Sequence, residues 1–211
     1  MSQEIARKFW NDLYKQIGPI ISSNMIGVFD DVIIKRYNEP HRKYHNLNHI
    51  IYCLNLFEEV KELSLFPEDT KLAIWFHDLI YDTQRPYTNE LESAGLAEDI
   101  LRNLGYPKIR IKNVYEMIRA TSHLSVNHTN LDTKILLDID LSIFGDPDYN
   151  AYEKAIREEY GFLTEEDYKV VRKDILESFL DERIYLTDYF YDKFEALARK
   201  NLTQAIKNLE R

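Results

Sequence analysis

A histidine and an aspartate stand side by side in Ala73-Ile74-Trp75-Phe76-His77-Asp78-Leu79-Ile80-Tyr81-Asp82, a stretch dominated by apolar residues. Burying an ionised carboxylate costs several kcal/mol unless it is paired or coordinated, and the cheapest partner here is a metal ion. Neighbouring residues on a helix point about 100° apart. Both therefore reach one ion only if it lies in front of the helix, inside a bundle, and the remaining ligands must come from other helices. His45 and His49 are four apart and share a face if the helix has already begun there. That face continues to Cys53, which reads first as a small core residue and second as a ligand.

Lys134-Ile135-Leu136-Leu137-Asp138-Ile139-Asp140-Leu141 sets two more acids in an apolar run. Two residues apart, they cannot face one point on a helix, so at most one of them is a ligand. His49, His77, Asp78 and one acid of that pair would bring two imidazoles and two carboxylates from three helices to a bundle interior.

The elements that must position these groups read as helices. Within 211 residues only 6 Gly and 6 Pro interrupt the chain, and the apolar spacing is mostly three and four, with no useful alternating run. The expected fold is all-α, a single-domain multi-helix bundle over residues 1–211, with the metal-site core at about 40–145 and flanking helices in 1–37 and 148–211. Helices are expected over about 3–17, ended by Gly18-Pro19, and over about Ser23 to Tyr37, with Val28, Val32 and Ile33 on the buried face. The next runs from Tyr44 to about Leu63. Phe66-Pro67-Glu68-Asp69 opens the helix that carries His77-Asp78 at its far end, and Thr88 reads as the cap of a helix ending at Gly105. Further helices are expected over about 108–120, 148–160, 165–181 (capped by Thr164) and 188–209.

With 27 Lys and Arg against 36 Asp and Glu, the formal charge of −9 argues against broad binding to nucleic acid or an anionic membrane surface. The single cysteine leaves no internal disulfide. Without an apolar signal core or a membrane-length segment, the chain reads as cytoplasmic.

The sequence resembles the HD-domain superfamily of metal-dependent phosphohydrolases, and is most similar to a bacterial subgroup of about this length. The resemblance rests on Tyr44-His45-Asn46 with His49, Phe76-His77-Asp78 with Tyr81-Asp82, Asn89-Glu90 with Ser93-Ala94, and Asp138-Ile139-Asp140-Leu141. It covers roughly residues 40 to 205 and implies an HD-type bundle. A more distant similarity to cyclic-nucleotide phosphodiesterases implies His45 as proton donor and His49 as ligand. It also favours Asp140 over Asp138, because Asp140 precedes Leu141. Where those enzymes have another His after the doublet, this chain has Tyr81.

The implied ligands are thus His49, His77, Asp78 and Asp140, with His45 and Asp78 as the implied catalytic pair. Asn46, Tyr81, Asn89, Glu90, His123, Asp138 and Arg42 are implied to line the site or support its ligands. A mixed imidazole and carboxylate set suits Mn²⁺, Fe²⁺, Co²⁺, Ni²⁺, Zn²⁺ or, less comfortably, Mg²⁺. The implied substrate is a small phosphorylated metabolite, with Arg42, Lys43, Arg85 and Arg119 beside the motifs as sources of positive charge. Two other readings remain open: a non-catalytic metal- or nucleotide-binding regulatory module, and a di-iron oxygenase drawing on His123 and His128. His41 and His128 otherwise read as surface residues.

Overall fold

The computed structural model describes residues 1–21, 25–123 and 130–210, and among them there is no strand. The fold is all-helical, as the spacing requires. The chain divides into two compact units, Met1–Leu136 and Leu137–Arg211. No helix among the described residues is long and apolar enough to cross a membrane.

In the first unit, α1 (Ser2–Ile17) ends in the short 3₁₀ turn Gly18–Ile20. The second helix, α2, occupies residues 25–37, while Ser23 lies outside the described residues. It is interrupted by a π turn over Phe29–Ile33, where the Ile34 N–H donates to the Phe29 carbonyl. The face it buries is Met25, Phe29, Ile33 and Tyr37. Val28 and Val32 of the expected face are only half-buried. The cause is geometric: a spacing of four drifts around a regular α-helix, and the wider i→i+5 turn takes up the drift. Phe29 then joins Trp10, Trp75 and Phe76 in an aromatic core.

The third helix, α3 (Leu47–Val60), is followed by α4 (Pro67–Phe76), α5 (Asn89–Asn103) and α6 (Lys108–Ala120). A 3₁₀ turn at Lys61–Leu63 replaces the expected last turn of α3. Helix α4 is buried all round from Asp69 to Phe76, and α1, α3, α5 and α6 enclose it. A helix without a polar face belongs in the middle of a bundle. Its one buried acid at the leading end, Asp69, accepts from the Tyr106 hydroxyl at 2.6 Å and from Arg110 Nε at 2.9 Å. Thr88 precedes α5, but its hydroxyl turns back to the Arg85 carbonyl and caps nothing. Gly105, at φ 78°, lets the chain reverse between α5 and α6, with the Tyr106 N–H closing on the Leu101 carbonyl.

Helix α7 (Leu131–Asp140) spans the division between the units and is followed by a 3₁₀ segment, Leu141–Gly145. The second unit then contains α8 (Tyr149–Glu159), α9 (Glu165–Ser178) and α10 (Asp188–Leu209). Thr164 caps α9 as expected, accepting from the Asp167 N–H. Gly145 lies against α10 so closely that a Cβ there would sit 2.6 Å from Phe194 Cβ. The chain entering α10 is tied down by two buried acids. Glu195 accepts from the N–H groups of Ile184 and Tyr185, and Asp138 from those of Leu186 and Thr187.

Candidate metal centre

Helix α4 stops at Phe76 because the backbone turns there. His77 is its C-terminal cap, its N–H still donating to the Ala73 carbonyl, and Asp78 follows in the turn. The two side chains still reach one point, His77 Nε2 lying 3.2 Å from Asp78 Oδ2. His77 Nδ1 lies 2.9 Å from the Ile74 carbonyl oxygen. A carbonyl only accepts, so Nδ1 carries a proton, and in the neutral ring Nε2 presents its lone pair.

His49, buried in the first turn of α3, is held in a matching way, with Nδ1 3.1 Å from the Tyr44 hydroxyl. Its Nε2 is 3.3 Å from His77 Nε2. Asp78 Oδ2 completes a triangle, 3.2 Å from His77 Nε2 and 3.7 Å from His49 Nε2. This trio is the metal-competent cluster among the described residues.

With both Nε2 atoms unprotonated, two imidazole lone pairs and a carboxylate oxygen would repel one another at these separations, a repulsion that a ring proton or a bound cation relieves. Oδ2 is buried and has no hydrogen-bond donor in good geometry, a condition that buried oxygens almost always avoid. Burial pushes the Asp78 carboxyl up, and the imidazole charge of His77, joined by those of His45 and His49, outweighs it and holds the group below the usual carboxylate range. A circle through the three atoms has a radius of about 2.0 Å, close to metal–nitrogen bonds of about 2.0–2.1 Å. Size and donor chemistry both fit a first-row divalent ion. The Asp78 side chain keeps 15% of its surface exposed, but the oxygen that faces the imidazoles is buried.

His45 lies ahead of α3, in the turn that Asn46 caps, so it does not share a helical face with His49. It is nevertheless beside the cluster: its ring centroid is 5.9 Å from that of His49, and it stacks on Tyr81 at 4.2 Å. Asn46 uses both ends of its amide on the turn, accepting from the Asn48 N–H and donating to the Lys43 carbonyl. Cys53 is buried, with Sγ 3.7 Å from both ring nitrogens of His49.

Arg42 was expected as a source of charge for phosphate, but its guanidinium is fully buried and committed to the fold. It donates to the carbonyls of His45, Asp78 and Leu79 and to the Glu39 carboxylate. It therefore ties the two histidine-bearing segments together. The rings of Tyr37 and Tyr81 lie 5.3 and 5.4 Å from it.

Asn89 and Ser93, one turn apart on α5, fasten the segment after the doublet. The Asp82 N–H donates to Asn89 Oδ1, and Asn89 Nδ2 returns a bond to the Asp82 carbonyl. Ser93 does the same for Ile80. Glu90 is half-exposed on the same helix.

Of the remaining expected residues, His123 follows α6 at φ 54° and is half-exposed, while His41 is exposed with Nε2 2.9 Å from the Tyr81 carbonyl. His128 lies outside the described residues. In the second unit, Asp138 is fully buried and accepts from the Thr187 hydroxyl as well as from two N–H groups. Asp140 ends α7, half-buried, and its charge reaches Tyr152. Tyr44, the Ile74 carbonyl and Ser93 were given no role from sequence. Tyr44 and Ser93 stand inside the motif segments, and the Ile74 carbonyl had no signal at all. No protein-family model, curated protein or solved structure matches the chain.

Proposed function

We propose that this protein is a metal-dependent hydrolase of the HD type, cleaving a phosphoester of a small metabolite such as a nucleotide. The observation that carries the reading is the triangle of His49 Nε2, His77 Nε2 and the donorless Asp78 Oδ2. These three residues would hold the ion. A divalent ion held by such donors supplies charge that lowers the pKa of a water and polarises a phosphoryl oxygen.

The chain's own groups do the rest. The Ile74 carbonyl and the Tyr44 hydroxyl fix the ring orientations of His77 and His49, as partners of ligating imidazoles do. Arg42 holds the backbone on both sides of the centre. His45, half-exposed and braced by Tyr81, is the candidate to protonate the leaving oxygen.

The test is metal analysis of the purified protein, then phosphate release from nucleoside mono-, di-, tri- and cyclic phosphates with each divalent ion. The expected outcome is metal-dependent release that is lost in His77→Ala and Asp78→Ala and lowered about 10²-fold or more in His45→Ala. Release that persists in both ligand variants overturns the reading. Oxygen consumption with two irons per chain would replace it with the oxygenase.

A further inference from the structure

A second cleft, of about 460 Å³, lies between α5 and α6 and shares no residue with the metal centre. Its volume is within the range of small-molecule sites. Its lining is cationic: Lys108 and Lys112, one turn apart on α6, are joined by Arg102. Arg102 is paired with Glu98, the one acid of the lining. Neither lysine has a carboxylate partner among the described residues. The first turn of α6 holds no acid, and the one acid of that helix, Glu116, stands a turn beyond Lys112. Uncompensated cations are out of character in a chain of net charge −9.

The rest of the lining is Tyr106, Ile111 and Tyr115. It is rigid. Tyr106 and Ile111 are buried, the Tyr106 hydroxyl is anchored on Asp69 at 2.6 Å, and the Arg110 guanidinium covers its ring at 5.2 Å. A preformed apolar surface beside two unneutralised ammonium groups selects a ligand with the same two halves.

We propose that this cleft is a binding site for a small aromatic phosphomonoester, with the phosphate held by Lys108 and Lys112 and the ring laid on Tyr106, Ile111 and Tyr115. The site is independent of the metal centre, so the proposal does not need the hydrolase reading to be right.

The probe is adenosine 5′-monophosphate, titrated calorimetrically into the full chain after treatment with chelator, so that no turnover intervenes. Binding is expected to weaken about tenfold or more in the double variant Lys108→Glu, Lys112→Glu. It should survive in the double arginine variant and in His77→Ala. Both lysines are exposed, and Lys112→Gln provides a milder second variant, expected to weaken binding severalfold. Ribose 5-phosphate should bind more weakly than the nucleotide. No binding to the unaltered protein at millimolar concentration, undiminished binding in the charge-reversed variant, or loss in His77→Ala instead would each overturn the proposal.

Discussion

Asp138 in the second unit receives hydrogen bonds from the Leu186 and Thr187 N–H groups and from the Thr187 hydroxyl, so both of its oxygens are engaged. Asp78 in the first unit presents a buried oxygen with no aligned donor, facing two imidazole nitrogens. Each acid sits at or just beyond the end of an apolar helical run, and sequence alone marks both as costly burials. What separates them is where their lone pairs go. An acid whose acceptors are filled by backbone donors holds a loop in place, and an acid left unfilled among imidazoles has an acceptor that a cation could take.

That contrast can be broken or sharpened by measurement. The largest effect is expected from Asp138→Ala, which strands two buried N–H donors and should cost about 2–5 kcal/mol in urea unfolding, with or without metal. A loss under about 1 kcal/mol would mean that water replaces the carboxylate and that Asp138 anchors little. Next, saturating divalent metal should stabilise the unaltered protein by about 2.7 kcal/mol at a hundredfold excess over Kd, and Asp78→Asn should lose that gain. If chelator and metal leave the melting temperatures of both proteins equal, the triangle holds no ion.

The smallest expected effect is in pH. Burial pushes the Asp138 carboxyl up to about 6, against the pull of its Thr187 and Leu186 donors, from about 3.9 in an unfolded chain. The folded protein then holds this proton more tightly than the unfolded one. Its contribution is complete below pH ~4 and lost as the pH rises through about 6, a fall of about 1–3 kcal/mol. Unfolding curves across that window should show the fall in the unaltered protein and a flatter profile in Asp138→Asn.

Much of this arrangement was legible in the sequence because burial leaves a pattern. The helices announced themselves by spacing and by Gly and Pro at their ends, and α6 begins and ends where its periodicity does. The His77-Asp78 doublet was legible because polar groups inside apolar runs require an explanation. What stayed hidden involved backbone acceptors far away in the chain. Nothing near Arg42 signals that the carbonyls of Asp78 and Leu79 will fold onto it. In a polar turn, an arginine looks like a surface cation. His45 shares a face with His49 only if the helix has already begun there, and the helix begins at Leu47, capped by Asn46. The reciprocal bonds of Asn89 and Ser93 to Asp82 and Ile80 were invisible for the same reason. A main-chain partner has no residue identity to read.

The widened turn in α2 has a consequence for how the centre tolerates insertions and deletions. Tyr37, at the end of that helix, donates its hydroxyl to the Trp75 carbonyl and lays its ring near the Arg42 guanidinium. A π turn holds one residue more than the α turn it replaces, so removing one residue from Phe29–Ile33 would give a uniform α-helix with everything beyond it still facing the same way. Adding a residue between Ile33 and Tyr37 has no such slack and would swing everything beyond it by about 100°. The phenol would then leave its acceptor, and the buried guanidinium would lose one of its two aromatic neighbours. A length change in a segment that carries none of the candidate ligands would thus be felt at the histidines.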